Sequence, residues 1–247
     1  MKQIRLMMGM PITIEIVAET AYAAESIDAA FDYFQYVDNT FSTYKEDSEI
    51  SRINRGELAL ADACQDMRDI FALADETKRD SDGFFDIAHK GIIDPSGIVK
   101  GWAIYNAAAL LLERGFENFY VDAGGDIQAV GQNADGENWR VGIRNPFNMG
   151  QIVKALSITD CGIATSGNTI RGQHIYNPKS DDPLETRVVS LTVVGPNVYD
   201  ADRFATAAYA MGEHGILFIE ELAGFEGYQI DSSGIATFTS GFERYVL

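Results

Sequence analysis

Cysteine, histidine, positive charge and long apolar runs are all in short supply in this 247-residue chain. Cys64 and Cys161 lie far apart and form neither a CxxC pair nor a zinc-ligand spacing, which argues against a disulfide framework or a zinc site; both read as buried thiols. Nineteen basic residues face 37 acidic ones, a net charge of −18. So negative a field argues against nucleic acid or an anionic membrane surface as partner. An anionic small ligand then needs a local device such as a metal ion, a helix N-terminus, a glycine nest or one placed lysine. No window reaches the length of a membrane span, and the opening "MKQIRLMMGMPITIEIVAE" alternates like a strand where a signal peptide would carry an apolar block. A soluble, cytoplasmic protein without membrane insertion is expected.

What is present is an ordinary globular composition, 46% hydrophobic, with two kinds of periodicity. "MMGMPITIEIVAE" reads as a first strand, and "AYAAESIDAAFDYFQYVDNTFS" as a long helix with apolar residues at three- and four-residue spacing. "ACQDMRDIFALADETKRDSDG" has the same period and stops at Gly83, and a helix beginning near Lys100 ends at Gly115. "NFYVDAGGDIQAVG" reads as two strands around Gly124-Gly125. "NWRVGIRNP", "IVKALSITDCGIATSG" and "TRVVSLTVVGPN" continue a strand-rich middle, and "DADRFATAAYAMGEHGILFIEELAG" returns to a helical period. "GYQIDSSGIATFTSGF" closes the chain as a hairpin turned at Ser232 to Gly234. No repeat, low-complexity tract or Pro/Ser-rich linker divides it. The expected fold class is α+β, with mixed or antiparallel sheet flanked by helices.

Five segments carry chemistry-bearing residues, and each has a structural alternative. In "DPSGIVKG", Gly97 and Gly101 permit close backbone approach and Lys100 projects near a helix start, where free N–H groups favour anions; otherwise it is a solvated lysine after a turn. In "DADRFATAAYAMG", Asp202 and Thr206 stand four apart on one helix face, where a carboxylate and a hydroxyl can share a hard cation; otherwise they are a cap and a back-bonded threonine. "ATSGNTIRGQHIYNP" brings Thr165, Ser166, Arg171 and His174 to the end of a strand. Of the three histidines, His174 is the best placed for proton transfer or phosphate contact, or else it is a hydrogen-bonded structural residue. The glycine pair of "VDAGGDIQAVG" offers an anion nest or a simple hairpin turn. Tyr44 in "FSTYKEDSEISRIN" offers a stacking face, or is a core tyrosine.

In this order the segments "MGMP", "FSTYKEDSEISRIN", "DGFFDIA", "DPSGIVKGWAI", "VDAGGDI", "WRVGIRNP", "IATSGNTIRGQHIYNP" and "ADRFATAAYAMG" resemble the FAD:protein FMN transferase family, the ApbE family. The resemblance covers nearly the whole chain. It implies a single ApbE-like (T-fold-like) domain over residues 1–247, with two lobes around a central cleft. It also implies an enzyme that cleaves FAD and attaches FMN through a phosphoester to a threonine or serine of an acceptor flavoprotein, using Mg²⁺ and releasing AMP. FAD hydrolysis to FMN and AMP, or FAD binding without catalysis, are the alternatives. By the same resemblance, Met8, Tyr44, Phe84, Phe85 and Asp86 line the FAD site, and Asp94, Lys100 and His174 contact the cofactor. His174 would be the catalytic base. The metal would take the Gly97 carbonyl and the side chains of Asp202 and Thr206. "FDIAHKGIIDPSG" joins two motifs within a few residues, where many members carry a long insertion, and this short form resembles a cytoplasmic subgroup.

Overall fold

A computed structural model describes residues 1–167, 175–180 and 184–247. Two strands open the chain, β1 (Lys2–Met7) and β2 (Met10–Ile16), where the alternation suggested a single strand. Met7 faces Met10, so Met8 and Gly9 are the two residues of the hairpin loop, and both have positive φ, 52° and 73°. Those angles match the right-handed twist of the flanking strands, which is why a two-residue loop interrupts a run that alternates on both sides of it. Gly9 takes that conformation freely, whereas Met8 carries a steric cost of about 1 kcal/mol. Met8→Asn is therefore expected to stabilise the protein by roughly 0.5–1 kcal/mol, read as a higher urea midpoint at unchanged slope.

Helix α1 (Ala21–Phe41) follows, capped by the Thr20 hydroxyl, which accepts from Ala23 N–H. Its buried stripe, Ile27, Ala30, Phe31, Phe34, Val37 and Phe41, repeats at helical spacing and packs on the inward Ile12, Ile14 and Ile16 of β2. After α2 (Glu49–Asn54), helix α3 (Gln65–Asp80) is capped by Cys64, whose Sγ accepts from Met67 N–H at 3.4 Å. Cys64 is thus only half-buried, whereas Cys161 is buried, as expected of both; burial pushes the Cys161 thiol up to about 11. A short hairpin of β3 (Ala88–His89) and β4 (Ile92–Ile93) leads into α4 (Ser96–Glu113).

Helix α4 starts four residues ahead of Lys100. Pro95 occupies the capping position, where a missing N–H costs nothing, and the buried period of Ile98, Val99, Ala103, Ile104, Ala107, Ala108 and Leu111 runs through Lys100. Strands β5 (Phe119–Ala123), β6 (Asp126–Val130), β7 (Trp139–Asn145), β8 (Asn148–Ile158), β9 (Cys161–Gly167) and β10 (Val188–Gly195) form the middle. Helices α5 (Val198–Ala210) and α6 (Gly215–Glu221) and the hairpin of β11 (Glu226–Asp231) with β12 (Ala236–Phe238) complete the chain.

The main sheet has the order β1-β2-β5-β6-β9-β10-β11-β12, and every pairing in it is antiparallel. The expectation of mixed or antiparallel sheet thus resolves to antiparallel within an α+β fold. Helix α4 packs between α1 and α5, and α5 lies across β9 and β10. The β7–β8 ribbon is a separate two-stranded sheet, and its Trp139, Ile143, Leu156 and Ile158 share a core with Ile163, Val194 and Tyr228 of the main sheet. Among the described residues no helix is long and apolar enough to cross a membrane.

Candidate active site

The approach of α4 to α5 builds the centre of the site. A side chain at Gly101 would place its Cβ 2.6 Å from Asp202 Cβ and 2.9 Å from the Val198 carbonyl oxygen, so only glycine lets the helices touch here. The contact is polar as well as close, because Gly101 N–H donates to Asp202 Oδ2 at 2.8 Å. Gln128 fixes the start of α5 against the sheet: its Oε1 accepts from Val198 N–H at 2.8 Å and its Nε2 donates to the Cys161 carbonyl at 3.2 Å. Asn197 caps the helix by accepting from Asp200 N–H.

Lys100 reaches from the second turn of α4 to two buried carboxylates. Its Nζ pairs with Asp126 on β6 and stands 3.4 Å from Asp202 Oδ1 on α5, and each acid is 2% exposed. Asp126 Oδ1 also accepts from Thr165 N–H at 2.9 Å, which ties β6 to β9. Burial pushes the Asp202 carboxyl up, and the Asp126 charge adds to the rise while Lys100 and the Gly101 N–H oppose it. One ammonium between two carboxylates leaves a formal charge of −1 when both acids are ionised.

Beside this triad, Thr206 Oγ1 lies 3.4 Å from the Gly97 carbonyl, to which it donates, and 3.4 Å from Ser166 Oγ. Asp202 and Thr206 do share one face of α5, as their spacing requires. Carboxylate, hydroxyl and carbonyl are hard oxygen donors, and with residual negative charge next to them the residues present fit a Mg²⁺-type cation better than a soft metal. Among the described residues no group of three or more His, Cys, Asp or Glu side chains converges on a point, so a cation here would rest on mixed oxygen donors.

This centre lies in a cleft of ≈ 790 Å³ that is also lined by Gly9, Met10, Phe84, Phe85, Asp86, Asp94, Tyr120, Asp122, Ser166, Tyr176 and the β7–β8 ribbon. That volume lies in the range of small-molecule sites. Phe85 is buried against Gly97, where an added Cβ would sit 3.3 Å from its ring. Asp86 is held by Lys78 at 2.5 Å and by Ala88 N–H at 2.9 Å, and its carbonyl accepts from Tyr176 O–H. The Tyr176 ring stacks on His89 at 3.9 Å, and Lys179 sits 4.1 Å over the Phe84 ring, so residues 175–180 dock on the 82–89 segment. Asp94 is exposed at the foot of α4, with Oδ1 accepting from Ser96 N–H.

Of the residues singled out from the sequence, Phe84, Phe85, Asp86, Asp94, Gly97, Lys100, Asp202 and Thr206 come together around the cleft. Met8 does not line it; its turn position hands that place to Gly9 and Met10. Tyr44 does not line it either and is 97% exposed, which also overturns the alternative of a core tyrosine; the residue sits in an exposed turn after α1. His174 and Arg171 lie outside the described residues. The glycine pair is a two-residue hairpin loop, with Gly124 at φ 67° and Gly125 at φ 105°. As an anion nest it is already spent, because Gly124 N–H bonds the Pro11 carbonyl and Gly125 N–H bonds Asp122 Oδ1.

Asp126 and Asp122 escaped sequence reasoning. In "VDAGGDI" two acids bracket a diglycine turn, a pattern that sets them on adjacent strands beside one loop but carries nothing about Lys100. Asp122 is raised by burial and by the Asp126 charge, with the Gly125 N–H opposing.

Fold and site together define an α+β protein with a cleft whose floor is a lysine-bridged pair of buried carboxylates beside a cluster of oxygen donors. The chain belongs to the ApbE family, whose model matches residues 8–94 and 88–228. It is 34% identical over 162 residues to the FAD:protein FMN transferase of Vibrio cholerae serotype O1, covering 62% of this chain and 47% of that protein. The FAD:protein FMN transferase of Haemophilus influenzae is 28% identical over 165 residues, covering 62% of this chain and 48% of that protein. The match thus spans about half the length of these curated relatives. The structure of the flavin transferase ApbE from Vibrio cholerae superposes with a TM-score of 0.86 at 23% identity, covering 99% of this chain and 98% of that one. The apbe protein from Thermotoga maritima superposes with a TM-score of 0.87 at 18% identity, covering 99% and 98%. At those identities the likeness is one of fold.

Proposed function

We propose that this chain is an FAD:protein FMN transferase that moves FMN from FAD to a threonine or serine hydroxyl of an acceptor flavoprotein and releases AMP, with Mg²⁺ as its cation. The observation that carries the reading is the meeting of Gly97, Lys100, Asp126, Asp202 and Thr206 at one place in a cleft of small-molecule size. Its relatives in Vibrio cholerae and Haemophilus influenzae are FAD:protein FMN transferases, a name that gives the substrate and the group transferred.

In chemical terms the acceptor oxygen bonds to the phosphorus on the FMN side of the diphosphate. The bond from that phosphorus to the bridging oxygen breaks, and AMP departs with the oxygen while the hydroxyl proton passes to a base. Such a transfer needs alignment and charge neutralisation more than covalent help from the protein. A divalent cation held by Asp202, Thr206 and the Gly97 carbonyl would supply Lewis-acid stabilisation of phosphate charge. Lys100 adds a fixed positive charge whose position is set by Asp126 and Asp202 instead of by solvent. Asp202 is oriented in turn by Gly101 N–H, so the carboxylate has no freedom to rotate away from its neighbours. His174 is the base in this reading.

The test is to incubate the protein with FAD, Mg²⁺ and a threonine-bearing acceptor and to follow the acceptor mass and the released nucleotides. An acceptor heavier by one FMN, with AMP formed in equal amount, is the expected result. FMN and AMP with no adduct would make the protein a hydrolase, and intact FAD throughout would leave it a binding protein.

A further inference from the structure

We propose that the outer edge of β7 receives the acceptor's polypeptide chain as an added strand, so that the acceptor enters the cleft as an extended segment. The inference rests on the transferase reading above and names how the acceptor is held.

The first observation is which β7 residues meet the cleft. Every residue from Trp139 to Arg144 lines it, although alternate residues of a strand point to opposite faces. A strand touches a cavity with both of its faces when its edge is what the cavity meets. β7 pairs with β8 alone, so its other edge has no partner strand among the described residues.

The second observation identifies the free groups. Leu247 N–H donates to the Ala155 carbonyl at 3.0 Å, and Leu156 bridges Val246, so the backbone of Ala155 points away from β7. Ala155 lies opposite Gly142, and Ser157 opposite Arg140. In an antiparallel ladder the two members of a pair share one orientation, so Gly142 and Arg140 are the positions whose N–H and C=O point outward from the ribbon. Among the described residues neither backbone takes part in any other hydrogen bond. Natural edges are normally blunted by proline, bulges or covering elements. Here the register irregularities begin only at Ile143 and Arg144, leaving a regular edge across Trp139 to Ile143.

The third observation is what the chemistry requires of the acceptor. Asp126 and Asp202 are each 2% exposed and line a cleft of ≈ 790 Å³, so the acceptor's hydroxyl must enter that cleft to react. An extended segment delivers it there, because it sends every second side chain into the cleft while its backbone bonds to the edge. Arg140 and Arg144 flank Gly142 on the exposed side of the ribbon of a chain whose net charge is −18. Arg140 is already paired with Glu137 at 2.8 Å, so it is Arg144 that adds positive charge at this edge and suits neutral or acidic neighbours of the threonine. The occupant is therefore an extended, proline-free segment bearing a threonine or serine.

Arg140→Pro removes one outward N–H without touching the β7–β8 ladder, whereas Arg140→Ala removes the side chain and keeps that donor. The probe is a library of proline-free decapeptides with threonine fixed at the sixth position, assayed with FAD and Mg²⁺ by mass spectrometry. Relative to Arg140→Ala, Arg140→Pro is expected to lower FMN attachment by about tenfold or more, as a rise in peptide KM and not as weaker FAD binding. Equal attachment by the two variants overturns the inference, as does a parallel loss of FAD affinity, which would make the edge a nucleotide contact. FMN and AMP formed without any peptide adduct from the wild-type protein would also overturn it. A wild-type protein that leaves FAD intact would instead overturn the transferase reading itself. Should Arg140→Pro fail to fold, hydrogen exchange in the wild-type protein decides. The Arg140 and Gly142 amides should gain protection with bound peptide and not with FAD alone, and no gain refutes the proposal.

Discussion

On the transferase reading proposed above, Asp202→Ala is expected to lower Mg²⁺-dependent FAD cleavage by at least about a hundredfold, the scale on which loss of one electrostatic stabiliser of a reacting group is felt. The carboxylate does three things at once. It is a hard oxygen donor one helical turn from Thr206, it holds Lys100 at 3.4 Å, and it accepts from Gly101 N–H. Its removal leaves Lys100 paired to Asp126, so the ammonium stays in the site but swings toward β6. The Gly101 N–H loses this acceptor, at a cost of about 1–3 kcal/mol, while the desolvation penalty of a fully buried carboxylate disappears. These two terms oppose each other, so the fold should persist with a small change in thermal midpoint. The checks are nucleotide release against Mg²⁺ concentration and circular dichroism on the same sample. Activity that still rises with Mg²⁺ over the wild-type range would take Asp202 out of the cation site, and a lost fold would make the activity result uninterpretable as chemistry. Asp202→Asn then separates charge from shape, since it keeps the size and one acceptor oxygen, enough for Gly101 N–H, but removes the negative charge facing Lys100.

The elements with a long apolar period were legible from the sequence because burial on one face dictates that period. Helix α1 over Ala21–Phe41 and the β5–β6 hairpin around Gly124-Gly125 follow it closely. The β1–β2 hairpin was not legible, because Met8 gives no hint of the positive φ that it adopts; only Gly9 carries the usual turn signal. The start of α4 was placed late for a related reason: "DPSG" looks like a turn, and it is one only up to Pro95. Within the site, residues fixed by one helix were readable and residues fixed by pairing between helices and sheet were not. Asp202 and Thr206 fall on one face of α5 by their spacing, which on its own fits a cap and a back-bonded threonine as well. That Asp126 faces Lys100 depends on β6 lying beside β9 and under α4, a tertiary fact that no local pattern in "AGGDI" encodes. The free edge of β7 is less visible still, since it follows from the register of β8 with the chain end.

Gly101→Ala is expected to destabilise the protein by about 3 kcal/mol and to disable the site together with the α4–α5 contact. The added methyl carbon would stand 2.6 Å from Asp202 Cβ and 2.9 Å from the Val198 carbonyl, and both obstacles are fixed atoms, not flexible side-chain ends. Moving α5 away would relieve the overlap, but the helix is held from behind. Gly162 lies so close that a Cβ there would be 1.9 Å from Val198 N, and Gln128 anchors the same N–H. Moving α4 instead shifts Gly97 and Lys100 together, opening the 3.4 Å approaches to Thr206 and Asp202. Either relaxation separates the carbonyl and lysine on one helix from the carboxylate and hydroxyl on the other, so turnover should fall even in the folded fraction. For a domain of this size 3 kcal/mol corresponds to a thermal midpoint lower by roughly 6–12 °C. Gly97→Ala is the instructive comparison, because its Cβ would meet only Thr206 Cγ2 at 3.2 Å and the Phe85 ring at 3.3 Å, side-chain atoms that can yield by a few tenths of an ångström. Its expected cost is about 1 kcal/mol. Equal midpoints for the two variants would mean that α4 and α5 are not pressed together at Gly101, and the rigid coupling of Lys100 to Asp202 would lose its structural basis.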